Sequence, residues 1–344
     1  MGLLSTEHAA SGPPVPLVGF TRGTILESVH YGSIAVVDAG GKLVVAAGDV
    51  ERITTLRSAA KPFQAMAVVE SGAADRFNAT EAELAIMAGS HSGEPRHVES
   101  VLKMLARADL APEDLQCGTQ LPLHEPTRKA LVATGLEPSP LHHNCSGKHC
   151  GMLWACVYRG WDVRTYRRPD HPLQRAIQGL MADMAGSPVD RIVVAIDGCG
   201  VPAFGMPLRA MGTAFARLAS GIPSEHRESA NRIVAAMVAH PEMVGGEGRL
   251  DTDLMRQGAG RILAKAGAEA CHGAALLDRG LGIALKIEDG GARAAPLALI
   301  ETLRQLDALA DADLESLSSY ARPAVRNYRG EIVGEGKPLF TLER

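Results

Sequence analysis

The chain has 344 residues, of which 46% are hydrophobic and 22% charged, and its formal net charge is −4. This composition is that of a globular protein and excludes an intrinsically disordered chain. The mild acidity and the absence of a basic run argue against nucleic acid as a partner. No apolar stretch reaches the roughly 18 residues that a membrane span needs.

The chain ends and the cysteines suggest how the protein is organised and where it works. Residues 1–15 predict a disordered tail, and residues 16–344 predict a single domain, built as one body or as two interlocked lobes. The N-terminus lacks a cationic segment followed by an apolar core, so we do not expect a secretory signal. The six cysteines are too few for a disulfide scaffold, so we expect thiols or metal ligands in a cytoplasmic compartment.

Taken in chain order, the predicted elements begin with strands over residues 31–38 and 43–47, joined by a glycine-rich turn. Helices follow, one with its N-cap at Ser58, one with a Thr80/Glu83 capping box, and one that begins at Pro95. The apolar residues 192–196 predict a buried strand that ends in a polar loop. Residues 274–278 and 282–287 predict two strands near the C-terminus.

This order of elements indicates the fold class. Strands at both ends of the chain with helices between them predict an α+β fold. We expect a largely antiparallel sheet that is formed by the N- and C-terminal strands and packed with helices.

Ser58-Ala59-Ala60-Lys61 is an S-x-x-K element at the start of a predicted helix. Residues three apart lie on one helix face, so the amine of Lys61 can reach the hydroxyl of Ser58. A serine needs a base beside it to become a nucleophile, and a lysine is a base only if its pKa is lowered. The same spacing also fits an N-cap serine followed by a solvated lysine, so the element alone leaves both interpretations open.

Three other segments are candidates for a functional role. Ser90 lies in a glycine-flanked turn at a helix end, which is typical of functional loops and of plain turns alike. Lys286 interrupts the apolar strand 282–287, so it lies at a sheet edge or points into a polar cleft. Residues 240–248 are rich in glycine and fit either a lid over a site or a surface loop.

A third cluster of residues has metal-binding chemistry. Cys145 and Lys148 lie in one predicted loop, and Asp197 and Cys199 lie in another. Two thiolates from separate loops, with a lysine and a carboxylate nearby, could hold one zinc ion. Two buried structural thiols are the alternative.

These segments together resemble the rhizobial-type (class 3) L-asparaginases. Several long motifs in the family's order, spread from about Val18 to the C-terminus, are more specific than any one of them. The resemblance implies a fold related to serine β-lactamases and glutaminases, a homodimer, and hydrolysis of L-asparagine to L-aspartate and ammonia by two Ser–Lys tandems. The motifs are Ser58-Ala-Ala-Lys61-Pro-Phe-Gln, Ser90-His-Ser-Gly-Glu-Pro, His143-Asn-Cys145-Ser-Gly-Lys148-His and Asp197-Gly-Cys199-Gly-Val-Pro.

The resemblance also implies roles for the residues that match its motifs. Ser58 pairs with Lys61, and Ser90 matches the second serine. Lys286 is our prediction for the second lysine, on position rather than on a long motif. Beside these residues, Arg57 is predicted to hold the substrate carboxylate, although it equally fits a structural ion pair.

Further residues near the serines take implied roles too. His91 is the second predicted contact of the substrate carboxylate. Cys145, Lys148 and Cys199 match the family's zinc site, and Asp197 is predicted to bind that zinc or to orient one of its ligands.

Two alternatives stay open on the sequence. One is a serine hydrolase for another amide, either glutamine or a β-lactam, although the S-D-N and K-T-G elements of β-lactamases are missing. The other is a non-catalytic, zinc-stabilised protein that binds a small molecule. Measuring ammonia release from several amide substrates distinguishes an asparaginase from the first alternative. A rise in melting temperature with asparagine, without release of ammonia, would indicate the second.

Overall fold

The computed structural model of the chain describes residues 12–343. Of the predicted tail, residues 1–11 lie outside the described residues, and the first strand begins at Val15. The strands in chain order are β1 (Val15–Arg22), β2 (Ile25–Asp38), β3 (Leu43–Ala47), β4 (Ile53–Thr55), β5 (Val193–Ile196), β6 (Pro202–Pro207), β7 (Ile262–Ala266), β8 (Cys271–Leu276), β9 (Leu281–Ile287), β10 (Ala324–Arg326) and β11 (Ile332–Pro338).

These strands form two antiparallel sheets. The larger has eight strands in the order β10-β11-β1-β2-β9-β8-β7, with β3 also paired to β2, and the smaller has the order β4-β6-β5. In the larger sheet the N-terminal strands β1 and β2 lie between the C-terminal strands β11 and β9. The prediction of an α+β fold with a sheet formed by both chain ends is therefore confirmed.

Helices cover both faces of the larger sheet. The predicted capping box at Thr80 and Glu83 and the predicted helix start at Pro95 are both confirmed. None of the helices within residues 12–343 combines the length and the apolarity needed to cross a membrane. The helices are α1 (Lys61–Glu70), α2 (Ala73–Arg76), α3 (Glu81–Met87), α4 (Pro95–Arg107), α5 (Glu125–Ala133), α6 (Ser146–Arg159), α7 (Pro172–Ala185), α8 (Leu208–Ser220), α9 (Arg227–Ala239), α10 (Pro241–Val244), α11 (Leu250–Gly258), α12 (Ala294–Gln305), α13 (Asp311–Ser316) and α14 (Ser318–Ala321).

The sheet separates two hydrophobic cores. Successive side chains of a strand point to opposite faces, and in β2 Ile34 and Val36 enter one core while Ala35 enters the other. Helix α8 packs on the face of Ala35, in the larger core that also contains most of the helices. Helix α12 packs on the opposite face. This arrangement buries the middle of the sheet on both faces.

Strand β5 differs from its prediction. The sequence predicts a buried strand over residues 192–196. The strand β5 covers Val193–Ile196, and all four of its residues are exposed, with Ile196 60% exposed to solvent. The reason is its position at the edge of the smaller sheet, where it pairs with β6 alone. Apolar β-branched residues favour strands at an edge as well as in a core. The strand still ends directly at Asp197, as predicted.

Candidate active site

Ser58 lies in a short 3₁₀ turn, Arg57–Ala60, that precedes α1. The predicted N-cap role is wrong, because α1 begins at Lys61 and Ala60 is its N-cap residue. Leu56 fixes the start of the turn by donating its backbone N–H to Phe204 O at 2.9 Å. Arg57 adopts a φ of 50°, a left-handed conformation that is uncommon for a residue with a side chain. The turn thus presents a partly exposed serine hydroxyl that caps no helix.

Lys61 is the buried centre of the site. The residue is 1% exposed, and its Nζ donates to Ser90 Oγ at 2.8 Å and to Asn144 O at 3.2 Å. No hydrogen bond joins it to Ser58 within residues 12–343, so the side-chain pair that the structure forms is Lys61 with Ser90. Burial lowers the pKa of Lys61. A buried lysine on a serine hydroxyl is the arrangement that can accept the hydroxyl proton.

The loop after α3 places Ser90 by contacts with residues 244–247. Ser90 N–H donates to Val244 O at 2.7 Å, and Ser92 Oγ donates to Gly245 O at 2.7 Å. The buried carboxylate of Glu94 accepts the N–H of Glu247 at 2.8 Å. In this structure the glycine-rich segment therefore packs firmly against the Ser90 loop.

His91 is fully buried, and both of its ring nitrogens are engaged. Its Nδ1 accepts the N–H of Gly93 at 3.2 Å, so Nε2 carries the proton that is donated to Ser146 Oγ at 2.8 Å. Burial holds the pKa of His91 well below its usual range. This geometry does not support the predicted contact with a substrate carboxylate, because the neutral ring has no free donor. His91 instead ties the Ser90 loop to the start of α6.

Arg57 forms an ion pair with Asp197. Both its Nε and its Nη2 lie 2.9 Å from Asp197 Oδ1, which also accepts the N–H of Gly198 at 2.6 Å. Although burial opposes it, the charges of Lys148 and Arg57 lower the pKa of Asp197. The structure therefore places Arg57 in the structural ion pair that its sequence context allowed, with its side chain 26% exposed beside Ser58.

The predicted metal residues converge beside this ion pair. Lys148 Nζ lies 3.0 Å from Cys199 Sγ, and Cys145, Lys148 and Cys199 are all at most 5% exposed. A hydrogen bond with Cys199, together with the cations Lys61 and Lys148, lowers the pKa of Cys145 well below its usual range against the effect of burial. Such a thiol is ready to lose its proton, as zinc ligation requires.

Two further observations bear on whether these residues fit a zinc ion. The buried Nε2 of His149 has no well-aligned hydrogen-bond partner in the described part of the chain, and this ring interacts with Cys199. Within residues 12–343, no three His, Cys, Asp or Glu side chains group closely enough to hold a metal. A zinc ion here would thus need Lys148 as a ligand. The donor set of two sulfurs and nitrogen fits zinc.

Lys286 lies on β9 and forms its hydrogen bonds with backbone carbonyls. Its Nζ donates to Glu269 O at 2.6 Å and to Ile287 O, and no hydrogen bond joins it to Ser90 within the described residues. Burial lowers its pKa. Two backbone carbonyls thus accept hydrogen bonds from the Lys286 ammonium, and neither belongs to the Ser90 loop.

Lys265 is a buried lysine that the sequence prediction missed. It is 0% exposed, and burial lowers its pKa to about 8, to which the charge of Lys61 contributes. Two residues later, a Cβ on Gly267 would lie 2.5 Å from Leu56 O and 3.4 Å from Ala59 N. The backbone after β7 therefore packs directly against the Ser58 turn, with no room for a side chain at position 267. The missed signal was Lys265-Ala266-Gly267 after an apolar run, which has the spacing of a K-T-G element.

Comparison with known proteins gives one family and several distant structures. The sequence model of the L-asparaginase II family matches residues 18–338. A Bacillus subtilis glutaminase, solved as a covalent complex with 5-oxo-L-norleucine, is 14% identical over 81% of this chain and 88% of its own, with a TM-score of 0.37. A β-lactamase-like protein from Bacteroides dorei is 12% identical over 79% of this chain and 93% of its own, with a TM-score of 0.43. No curated protein matches the chain.

Proposed function

The chain belongs to the L-asparaginase II family, and from this premise we propose that it hydrolyses L-asparagine to L-aspartate and ammonia. The family supports an amidohydrolase of the asparaginase or glutaminase type, and the preference for asparagine is our proposal. The observation that carries the proposal is the hydrogen bond between the buried Lys61 and Ser90. Lys61 follows the partly exposed Ser58 by three residues.

We propose that Ser58 is the nucleophile of a two-step reaction. Ser58 Oγ bonds to the side-chain amide carbon while the Ser58 proton passes to Lys61. Ser90 relays this proton, because its hydroxyl is hydrogen-bonded to Lys61 Nζ at 2.8 Å. The carbon–nitrogen bond then breaks as that proton moves to the leaving nitrogen, which releases ammonia and leaves an aspartyl ester on Ser58. Water attacks the ester carbon and gives a proton to the same base. The ester bond breaks as Ser58 regains its proton, and L-aspartate leaves.

For the second lysine we now propose Lys265 in place of Lys286. Lys265 lies on the edge strand β7, whose end approaches the Ser58 turn closely at Gly267, and the charge of Lys61 acts on its ammonium. Lys286 lies on the inner strand β9. Paired with the carboxylate of Asp251 at 3.3 Å, Lys265 is suited to act as a cation. A fixed cation beside the reacting carbon stabilises the negative charge that develops on the amide oxygen.

We propose that one zinc ion binds to Cys145, Lys148 and Cys199. Asp197 then lies outside the ligand set, because its carboxylate is held by Arg57. When bound, the ion would add positive charge near the substrate's α-groups and join the start of α6 to the loop after β5. We expect chelation to raise KM, and a loss of the chemical step with unchanged substrate affinity would contradict this assignment.

We also propose that the protein works as a cytoplasmic homodimer. All six cysteines are free thiols, which supports a reducing compartment. The dimer follows from the family resemblance. Light scattering on the purified protein tests it, and a mass of one chain would refute it.

The deciding experiment is ammonia release from asparagine, glutamine and a β-lactam by the wild-type protein and by Ser58→Ala. We expect asparagine to be the preferred substrate and the variant to lose activity. Ser100→Ala, whose hydroxyl is directed to Met104 within α4, is the matched control and should keep it. A diazoketone analogue of asparagine should add its mass to Ser58. Normal turnover by Ser58→Ala would refute the mechanism, and a thermal shift with asparagine but no ammonia would favour a binding protein.

A further inference from the structure

Asp251 is a buried carboxylate that the two-serine mechanism does not use. It lies in the first turn of α11 and is 5% exposed. Its Oδ2 lies 3.3 Å from Lys265 Nζ and accepts the N–H of Ala266 at 2.9 Å. Its Oδ1 lies 3.0 Å from Nε2 of His272, which is 3% exposed. Helix α11 and the strands β7 and β8 therefore each contribute one buried group to a single cluster.

The charges around Lys265 come from each element packed against its strand. Asp251 from α11 favours its protonated form, while Lys61 from α1 and Arg249 before α11 disfavour it. His272 on β8 contacts the far oxygen of the same carboxylate. Asp251 is thus the anion that offsets two neighbouring cations and the loss of solvent.

The hydrogen bonds of Lys265 show what this anion does geometrically. An ammonium has three donors. In the described residues, one donor is directed to Asp251 and a second to Ala266 O at 2.7 Å. The third has no protein acceptor in residues 12–343. With two donors fixed, the direction of the third is set, and Gly267 places this strand end against the Ser58 turn.

We propose that Asp251 is a positioning residue, which holds Lys265 as a directed cation beside the Ser58 turn while the N–H of Ala266 binds both of its carboxylate oxygens. This rests on the proposed function, because it assumes that Lys265 serves the Ser58 and Ser90 centre. Asp251 does not touch the substrate. Its effect on the reaction passes entirely through the ammonium of Lys265.

The test is the pH profile of kcat/KM for asparagine in Asp251→Asn. In the wild type we expect activity to fall as pH rises through about 8, where Lys265 loses its proton. Asparagine at position 251 cannot offset Lys61 and Arg249, so the pKa of Lys265 drops and the falling limb moves to lower pH. Asp253→Asn removes a carboxylate from the same helix, which contacts Tyr320 instead, and should leave the limb in place.

A second variant guards against loss of folding in Asp251→Asn. Asp251→Glu keeps the charge and moves the carboxylate by about one methylene, so the limb should stay while kcat falls about a hundredfold, the usual result of a misplacement of about 1 Å. Wild-type kcat in Asp251→Glu, or an unmoved limb in Asp251→Asn, overturns the proposal. Failure of the wild type to release ammonia from any amide would instead refute the proposed function.

Discussion

Gly267→Ala tests whether the end of β7 positions the Ser58 turn. In the wild type this glycine approaches the backbone so closely that a Cβ would lie 2.5 Å from Leu56 O, whereas an ordinary contact begins at 3.4 Å. The turn or the strand must then move by about 0.9 Å. Overpacking of this kind costs about 1–3 kcal/mol of stability. A displacement of that size at a catalytic group costs about a hundredfold in rate.

The assay measures kcat for ammonia release and the free energy of unfolding in the same preparation. We expect Gly267→Ala to lose about a hundredfold in kcat while it remains folded. Gly179→Ala is the matched control, since Gly179 lies in α7 and a Cβ there meets nothing within 4 Å. The control should gain about 0.5–1 kcal/mol of stability and keep its activity. Wild-type kcat in Gly267→Ala would show that β7 does not set the position of Ser58, and the case for Lys265 would fail with it.

Three further substitutions address the fold, the proposed zinc site and the proposed base. Thr80→Ala removes the capping box of α3 and should lower the free energy of unfolding by about 1 kcal/mol in denaturant titration. Cys199→Ser should lower the zinc content of the purified protein, as measured by mass spectrometry, from about one per chain toward zero, whereas Cys150→Ser should not. Lys61→Met should abolish ammonia release yet raise the free energy of unfolding by about 0.5–2 kcal/mol, and a destabilised variant would contradict this. Lys103→Met, at an exposed lysine of α4, should change stability by less than about 0.5 kcal/mol.

The fold followed from local signals, because each predicted element has its cause within a few residues. The capping box at Thr80 and the proline at 95 fix helix starts by contacts within one turn. Strand β2 could be predicted from its β-branched run. The position of an element within the sheet is different, because it depends on partners far along the chain. Strand β5 was therefore predicted correctly as a strand but wrongly as buried.

The two lysines show the same limit within the site. Lys265 and Lys286 both interrupt apolar strands, and the local signal that distinguishes Lys265 is the K-T-G-like spacing of Lys265-Ala266-Gly267. The order of the strands separates them, since β7 ends the sheet beside the Ser58 turn while β9 lies between β2 and β8. A strand at the edge can bring a side chain to a neighbouring loop. An inner strand meets other strands on both sides, and there the Lys286 ammonium binds carbonyls of residues 269 and 287.

Three buried lysines lie in one region, and their desolvation lowers the stability of the fold. Lys61, Lys148 and Lys265 are each at most 3% exposed. A buried amino group is tolerated only with a hydrogen-bond partner: Lys61 has Ser90 and Asn144 O, Lys148 has Cys199, and Lys265 has Asp251. Removing a partner leaves the buried amino group unsatisfied, whereas removing the lysine relieves its desolvation. Substituting a partner side chain should therefore lower the free energy of unfolding more than substituting the lysine that it binds. This pattern is expected of a site whose buried lysines are retained for reactivity rather than for stability.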